Sequence, residues 1–198
     1  MNRWTQLTLT CRAAQNEGIV KRRVDDERII VDHSAVLADA FGRIQEEVHA
    51  TLSDLPVDAL TYRVDEDGNS IAWLVWHLTR VQDDHVAGVA GTEQVWTSAG
   101  WEERFGLPFP TSEIGYEQPA SDVPLVTSST DLLLGYYDAV HARTVEYLQT
   151  ISATDLDAVV DESYDPPVTL GVRLISVVSD DLQHIGQAAY IRGVYERR

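Results

Sequence analysis

The chain of 198 residues carries 15 basic against 32 acidic residues, a formal net charge of −17, and is 44% hydrophobic. A field of that sign repels nucleic-acid phosphates and anionic membrane surfaces, so neither is expected as a partner. One cysteine, Cys11, excludes a disulfide framework and a cysteine-rich metal site, and no apolar run nears the roughly 20 residues of a membrane helix.

These features predict a cytoplasmic protein. One lysine beside fourteen arginines, with abundant Ala and Val, is the usage of a high-GC genome such as that of an actinobacterium.

Residues 1–31 hold six basic and four acidic residues, which leaves the remainder at −19. They show no sustained hydrophobic period and are broken at Gln15-Asn16-Glu17-Gly18 and Asp25-Asp26-Glu27. The expectation is a poorly ordered or loosely docked extension, with Lys21-Arg22-Arg23 a solvated group, ahead of a folded domain over 32–198.

Leu37, Phe41, Ile44, Val48, Leu52 and Leu55 then step by three and four, an amphipathic helix ending before Pro56. A second helix follows Asp67-Gly68-Asn69, capped by Asn69 or Ser70, and runs from Ile71 to about Ala90 before Gly91. Residues 91–127 hold too much Gly and Pro for a regular element. Such a long irregular connection is often functional, and its Trp96, Trp101, Phe105, Phe109 and Tyr116 predict that it packs down.

Ser128-Ser129-Thr130-Asp131 starts a third helix with Leu133, Tyr137, Val140, Thr144, Leu148 and Ile151 on one side. A polar loop over 152–168 ends in Pro166-Pro167, and Thr169 caps a fourth helix reaching Tyr195. Helices of about 20 residues, each ~30 Å long, make an all-α four-helix bundle with a long irregular connection between the second and third. No segment shows strand alternation.

On the fourth helix Leu174, Val178, Leu182, Ile185 and Ala189 form an apolar stripe at 100° per residue. Val177, His184, Ala188 and Ile191 widen it, with Asp180 at the border. Asp180 and His184, one turn apart, can chelate one metal ion or simply hydrogen-bond. Asp181 also falls inside the apolar arc, three residues before His184, and can take the place of Asp180 as ligand.

An acid four residues before a histidine arises by chance in so acidic a chain, so the pair alone is uninformative. On the second helix His77 shares a face with Trp73, Leu74 and Val81, with Arg80 and Asp84 nearby. An inward His77 facing Asp180 and His184 supplies three ligands and leaves an open position. The alternative is a pair of core histidines, His77 bonded to Asp84 or a carbonyl and His184 to Asp180. His33, His49, His85 and His141 read as structural or solvated. Cys11 lies in the extension, and neither a Gly-x-Ser-x-Gly elbow nor a phosphate-cradling glycine loop is present.

The run from Asn69 through Trp73 and Trp76 to His77 and Leu78, the Thr169-capped helix, and Asp180-Asp181-Leu182-Gln183-His184-Ile185-Gly186-Gln187 together resemble the DinB superfamily. The likeness spans about residues 32–195 and is greatest to its DUF664-type and mycothiol-dependent, maleylpyruvate isomerase-like members. It implies a four-helix bundle holding a divalent metal, zinc or nickel, with His77, Asp180 and His184 as ligands. Asp180 departs from the commoner all-histidine pattern, although the maleylpyruvate isomerase branch also has a carboxylate there. A carboxylate is the harder ligand.

The resemblance further implies a metal-dependent transferase or isomerase in which a low-molecular-weight thiol of mycothiol type attacks an electrophilic small molecule. Arg80 would bind a carboxylate, unless it pairs with Asp84, while Trp101, Phe105 and Tyr116 would wall the pocket. Homodimers are common among such relatives. The alternative is a non-catalytic bundle, metal-binding or metal-free, whose aromatics in 91–127 meet a partner protein.

Overall fold

The computed structural model describes residues 33–198, and the expected extension over residues 1–31 lies outside them. In chain order the helices are α1 (His33–Leu52), α2 (Val57–Leu60), α3 (Ile71–Ala90), α4 (Val95–Ser98), α5 (Trp101–Phe105), α6 (Thr130–Leu148) and α7 (Leu170–Tyr195). The four long ones, α1, α3, α6 and α7, form the bundle.

Local chemistry sets their ends. Ser70 Oγ accepts from Trp73 N at 3.2 Å, Ser129 Oγ from Leu132 N at 3.2 Å and Thr169 Oγ1 from Val172 N at 3.4 Å. Each bond satisfies one of the four donors that a helix start leaves without an intrahelical partner. Gly91 closes α3 in the left-handed conformation at φ 65°, its N–H bonded back to Ala87 and Gly88.

Helix α3 is the central element. Ile71 through Asp83 are all buried, so it is apolar around most of its circumference, as a helix packed on several sides must be. Helix α7 packs chiefly along α3, and α1 and α6 close the bundle. Phe41, Ile44, Val48, Leu52, Leu74, Trp76, Leu78, Tyr137 and Leu174 meet in one core. Each such side chain contributes about 1.5–3 kcal/mol by leaving water.

Three expectations are corrected. The connection over 91–127 is partly helical: it contains α4, α5 and a 3₁₀ turn at Val123–Leu125. The loop over 152–168 holds a small antiparallel hairpin, β1 (Val159–Asp161) paired with β2 (Val168–Thr169). Both segments are too short for periodicity to reveal.

The third correction concerns the buried stripe of α7, which runs through Leu174, Val177, Asp181, Ile185, Ala188 and Ile191. Leu182 is 46% exposed and Ala189 is also outside. Asp181, which lies within the expected apolar arc, is buried as that arc requires, whereas Leu182 of the expected stripe is not. No helix among the described residues is long and apolar enough to cross a membrane.

Candidate metal centre

His77 from α3 and Asp180 and His184 from α7 each present one ligand atom, all within 4.8 Å of one another. Asp180 and His184 lie one turn apart on α7, as their spacing requires. The packing of α7 on α3 brings His77 to them, with the two imidazole centroids 4.7 Å apart at 74°.

The tautomers are set from outside. His77 Nδ1 lies 2.5 Å from the carbonyl oxygen of Ile114, which can only accept, so Nδ1 carries the proton and Nε2 keeps its lone pair. His184 Nδ1 donates to Gln187 Oε1 at 3.2 Å. Its Nε2 therefore faces Asp180 Oδ1, 3.6 Å away. Two acceptors facing each other need a proton or a cation between them. Asp180 Oδ2 is buried and has no hydrogen-bond partner among the described residues.

The donor set of two imidazole nitrogens and one carboxylate suits a divalent transition metal. With ligand bonds near 2 Å, sharing one ion asks the three groups to close by about an ångström. The orienting hydrogen bonds at both Nδ1 atoms are those that metal-binding histidines require. The residues fit a metal.

The histidines differ electrostatically. Burial holds His77 below the ordinary imidazole range, opposed by the Ile114 bond and reinforced by His184. Burial also pulls on His184, but the Asp180 carboxylate and Gln187, which favour its protonated form, outweigh it and raise its pKa.

The connection between α3 and α6 builds the outer wall. Trp73 stacks on His77 at 4.7 Å and 19°, and its indole N–H donates to Gln118 Oε1 at 2.8 Å. Tyr116 meets the His77 ring edge-on at 5.4 Å. Gly115 adopts φ 101°, and a Cβ there would collide with His77 Nδ1 and crowd Trp73. Only glycine combines that conformation with that closeness.

Of the four proposed wall and substrate residues, only Tyr116 borders the metal cluster. Phe105 is buried against Trp96 and Tyr136, and Trp101 packs over Gly135 and Tyr136.

Arg80 is wholly buried and does not pair with Asp84. It donates to the Thr111 carbonyl at 3.1 Å, the Glu113 carbonyl at 3.2 Å, Gln94 Oε1 at 2.8 Å and Tyr136 Oη at 3.3 Å. Its carboxylate neighbour is Asp83, 3.8 Å away. Arg80 thus ties down the segment that presents the Ile114 carbonyl. Asp83 receives the N–H groups of Val95 and Trp96 at 2.8 and 2.7 Å and the Tyr136 hydroxyl at 2.8 Å. Sequence reasoning missed Asp83, Ile114, Gly115 and Gln118: Asp83 has Arg80 three residues away, but its hydrogen-bond donors Val95, Trp96 and Tyr136 are 12 or more positions off, and the others meet His77 or Trp73 across 37 or more.

Asp181 stands outside the cluster. It is fully buried, and neither carboxylate oxygen has a hydrogen-bond partner among the described residues. Burial, reinforced by Asp180, pushes its pKa well above the carboxylate range. A carboxyl whose folded pKa is raised favours folding most below the unfolded pKa, near 4, and loses that contribution as pH rises toward the folded value. Asp181→Asn is therefore expected to raise the melting temperature by a few degrees at pH 8 and to leave it unchanged at pH 4. Scanning calorimetry at both pH values checks this, and an equal shift at both would contradict it.

No functionally curated protein matches this chain. It is similar to a conserved protein of Enterococcus faecalis of known crystal structure, at 29% identity and a TM-score of 0.77, over 82% of this chain and 96% of that one. The DinB superfamily profile matches residues 40–188. The sequence match, the four-helix architecture and the two-helix His/Asp/His cluster agree: the chain belongs to the DinB superfamily.

Proposed function

We propose that the protein is a metal-dependent transferase or isomerase in which a small-molecule thiol attacks an electrophile. The observation that carries this reading is the set of inward acceptor atoms on His77, Asp180 and His184, with the buried Asp180 Oδ2 unpartnered. A divalent cation such as zinc or nickel, when bound, supplies the Lewis acidity that makes a thiol available as thiolate at neutral pH.

The chain's own residues do the rest. Ile114 and Gln187 hold the imidazoles in the ligating tautomer, while Trp73 and Tyr116 limit water and offer apolar and edge-polar contact to a bound molecule. In an actinobacterial cytoplasm the thiol would be mycothiol. A small acidic protein of this kind is not suited to nucleic acid.

The alternative of an aromatic partner surface on 91–127 rests on Tyr116, which is 49% exposed. Trp96 and Phe105 are buried and Trp101 is folded onto Gly135. Self-association fits better on the outer face of α7, where Val172, Ile175, Leu182 and Tyr190 are exposed along one arc. Sedimentation of the full chain is expected to give a homodimer.

The test of function begins with metal. Protein prepared without chelators is expected to hold about one equivalent of zinc or nickel by elemental mass spectrometry, and His184→Ala to hold none. Acidification is expected to release the ion as His184 protonates, since its pKa is raised above the ordinary 6.5. Failure to take up metal on reconstitution would sink the transferase reading. A metal-loaded protein that binds no thiol would leave only the metal site standing.

A further inference from the structure

Arg173 lies seven residues before Asp180 and eleven before His184 on α7, close to whole numbers of turns, so the three share one face. Beside it the groove between α7 and α3 opens into a cleft of about 450 Å³ lined by Asp84, His85, Gly88, Val89, Val160 and Arg173. Tyr116 joins this cleft to the metal cluster. Its ring is 5.4 Å from that of His77 and 6.4 Å from that of His85, and its hydroxyl is 3.5 Å from His85 Nε2.

Arg173 is the permanent cation among the residues lining the cleft. Its Nη2 donates to Asp161 Oδ2 at 2.8 Å, and its Nη1 lies 3.2 Å from His85 Nδ1, which also stands 3.4 Å from Asp84 Oδ2. Asp161 is itself fixed by the backbone N–H and hydroxyl of Ser163, at 3.0 and 2.6 Å. A guanidinium carries five donors in a fork shaped for carboxylate and phosphate, and among the described residues these two contacts leave part of the fork unused.

We infer that the cleft is an anion subsite: the molecule acted on at His77, Asp180 and His184 extends along the α3–α7 groove, and its carboxylate or phosphate is bound by Arg173. The inference rests on the thiol-transfer reading for what occupies the metal end. Seven helical residues rise about 10 Å, which sets the approximate separation of the reacting atom from the anionic group. Asp161 acts as an internal stand-in for the ligand's anion, holding the guanidinium in place and competing for it. Arg173 therefore takes the substrate-recognition role that sequence alone assigned to Arg80.

The competition makes the proposal testable, because two variants that break the same ion pair must act oppositely. The probes are ω-mercaptooctanoate and ω-mercaptooctanol, titrated into cobalt-loaded full-length protein and followed by the sulfur-to-cobalt charge-transfer band. Wild type is expected to bind the carboxylate about tenfold tighter than the alcohol, a difference of about 1.4 kcal/mol. Arg173→Gln is expected to abolish that preference without changing the affinity for the alcohol, whereas Asp161→Asn is expected to increase it.

Equal binding of the two probes by wild type overturns the subsite, as does a preference that survives Arg173→Gln. So does an Asp161→Asn variant that loses the preference as Arg173→Gln does, since the pair would then be merely structural. If neither thiol perturbs the cobalt spectrum, the thiol reading fails by itself. Octanoate against octanol, followed by tryptophan fluorescence in the same variants, then decides the subsite: octanoate binding lost in Arg173→Gln upholds it, and no preference for octanoate overturns it.

Discussion

Gly115→Ala is expected to weaken divalent-metal binding by about 10–100-fold, the usual cost of losing a group that orients a metal-binding histidine. At φ 101° an alanine is strained by about 1–3 kcal/mol wherever it sits. Here its Cβ also falls on His77 Nδ1 and against Trp73. The His77 ring must shift, which breaks its bond to the Ile114 carbonyl and disturbs the stack with Trp73. Gly42→Ala is the matched control: it lies within α1, nothing stands within 4 Å of a Cβ there, and it should stabilise by about 0.5–1 kcal/mol. Zinc titration calorimetry with urea denaturation separates the two effects. Unchanged zinc affinity in Gly115→Ala would show that the connection does not set His77.

Arg80→Met is expected to cost about 3–5 kcal/mol, the range for removing one partner of a buried ion pair. Three losses combine. The carbonyls of Thr111 and Glu113 lose their donor, Trp96 loses the guanidinium 4.8 Å from its ring centre, and Asp83 is left buried without a cation. Burial already pushes the Asp83 pKa up, against the pull of the Val95, Trp96, Tyr136 and Arg80 contacts.

Adding Asp83→Asn should recover part of the loss by removing the stranded charge. Recovery is incomplete, because an amide oxygen cannot replace both carboxylate oxygens toward the Val95 and Trp96 N–H groups. Arg80→Lys keeps the charge but not the fork, and should fall between wild type and Arg80→Met. Urea midpoints of wild type, Arg80→Met, Asp83→Asn and the double variant close the cycle that measures the coupling, with Arg80→Lys as a fifth protein. A loss under about 1 kcal/mol for Arg80→Met would mean that Arg80 is not what holds the connection.

The two variants probe one mechanical chain from different ends. Asp83 and Arg80 anchor the segment from Gln94 to Glu113, the next residue offers its carbonyl to His77, and Gly115 leaves room for the ring. Metal affinity thus depends on residues that never touch the ligand atoms. Arg80 is the instructive case: its position on the His77 helix drew attention to it, but its donors are spent inside the protein.

The amino-acid sequence alone determined what depends on neighbours a few residues apart. The bounds of α3 follow from Ser70 and Gly91, the start of α7 from Thr169, and the shared face of Asp180 and His184 from one helical turn. The apolar steps of α1 from Leu37 to Leu52 were equally legible. Only the tertiary structure decided that Leu182 and Ala189 of the expected α7 stripe face out, while Asp181 of the same arc is fully enclosed. It also decided that Ile114 caps His77 across 37 positions and that Arg80 clasps Glu113 across 33. Periodicity reports the phase of a helix against an assumed core, whereas these pairings are set by which elements close on one another.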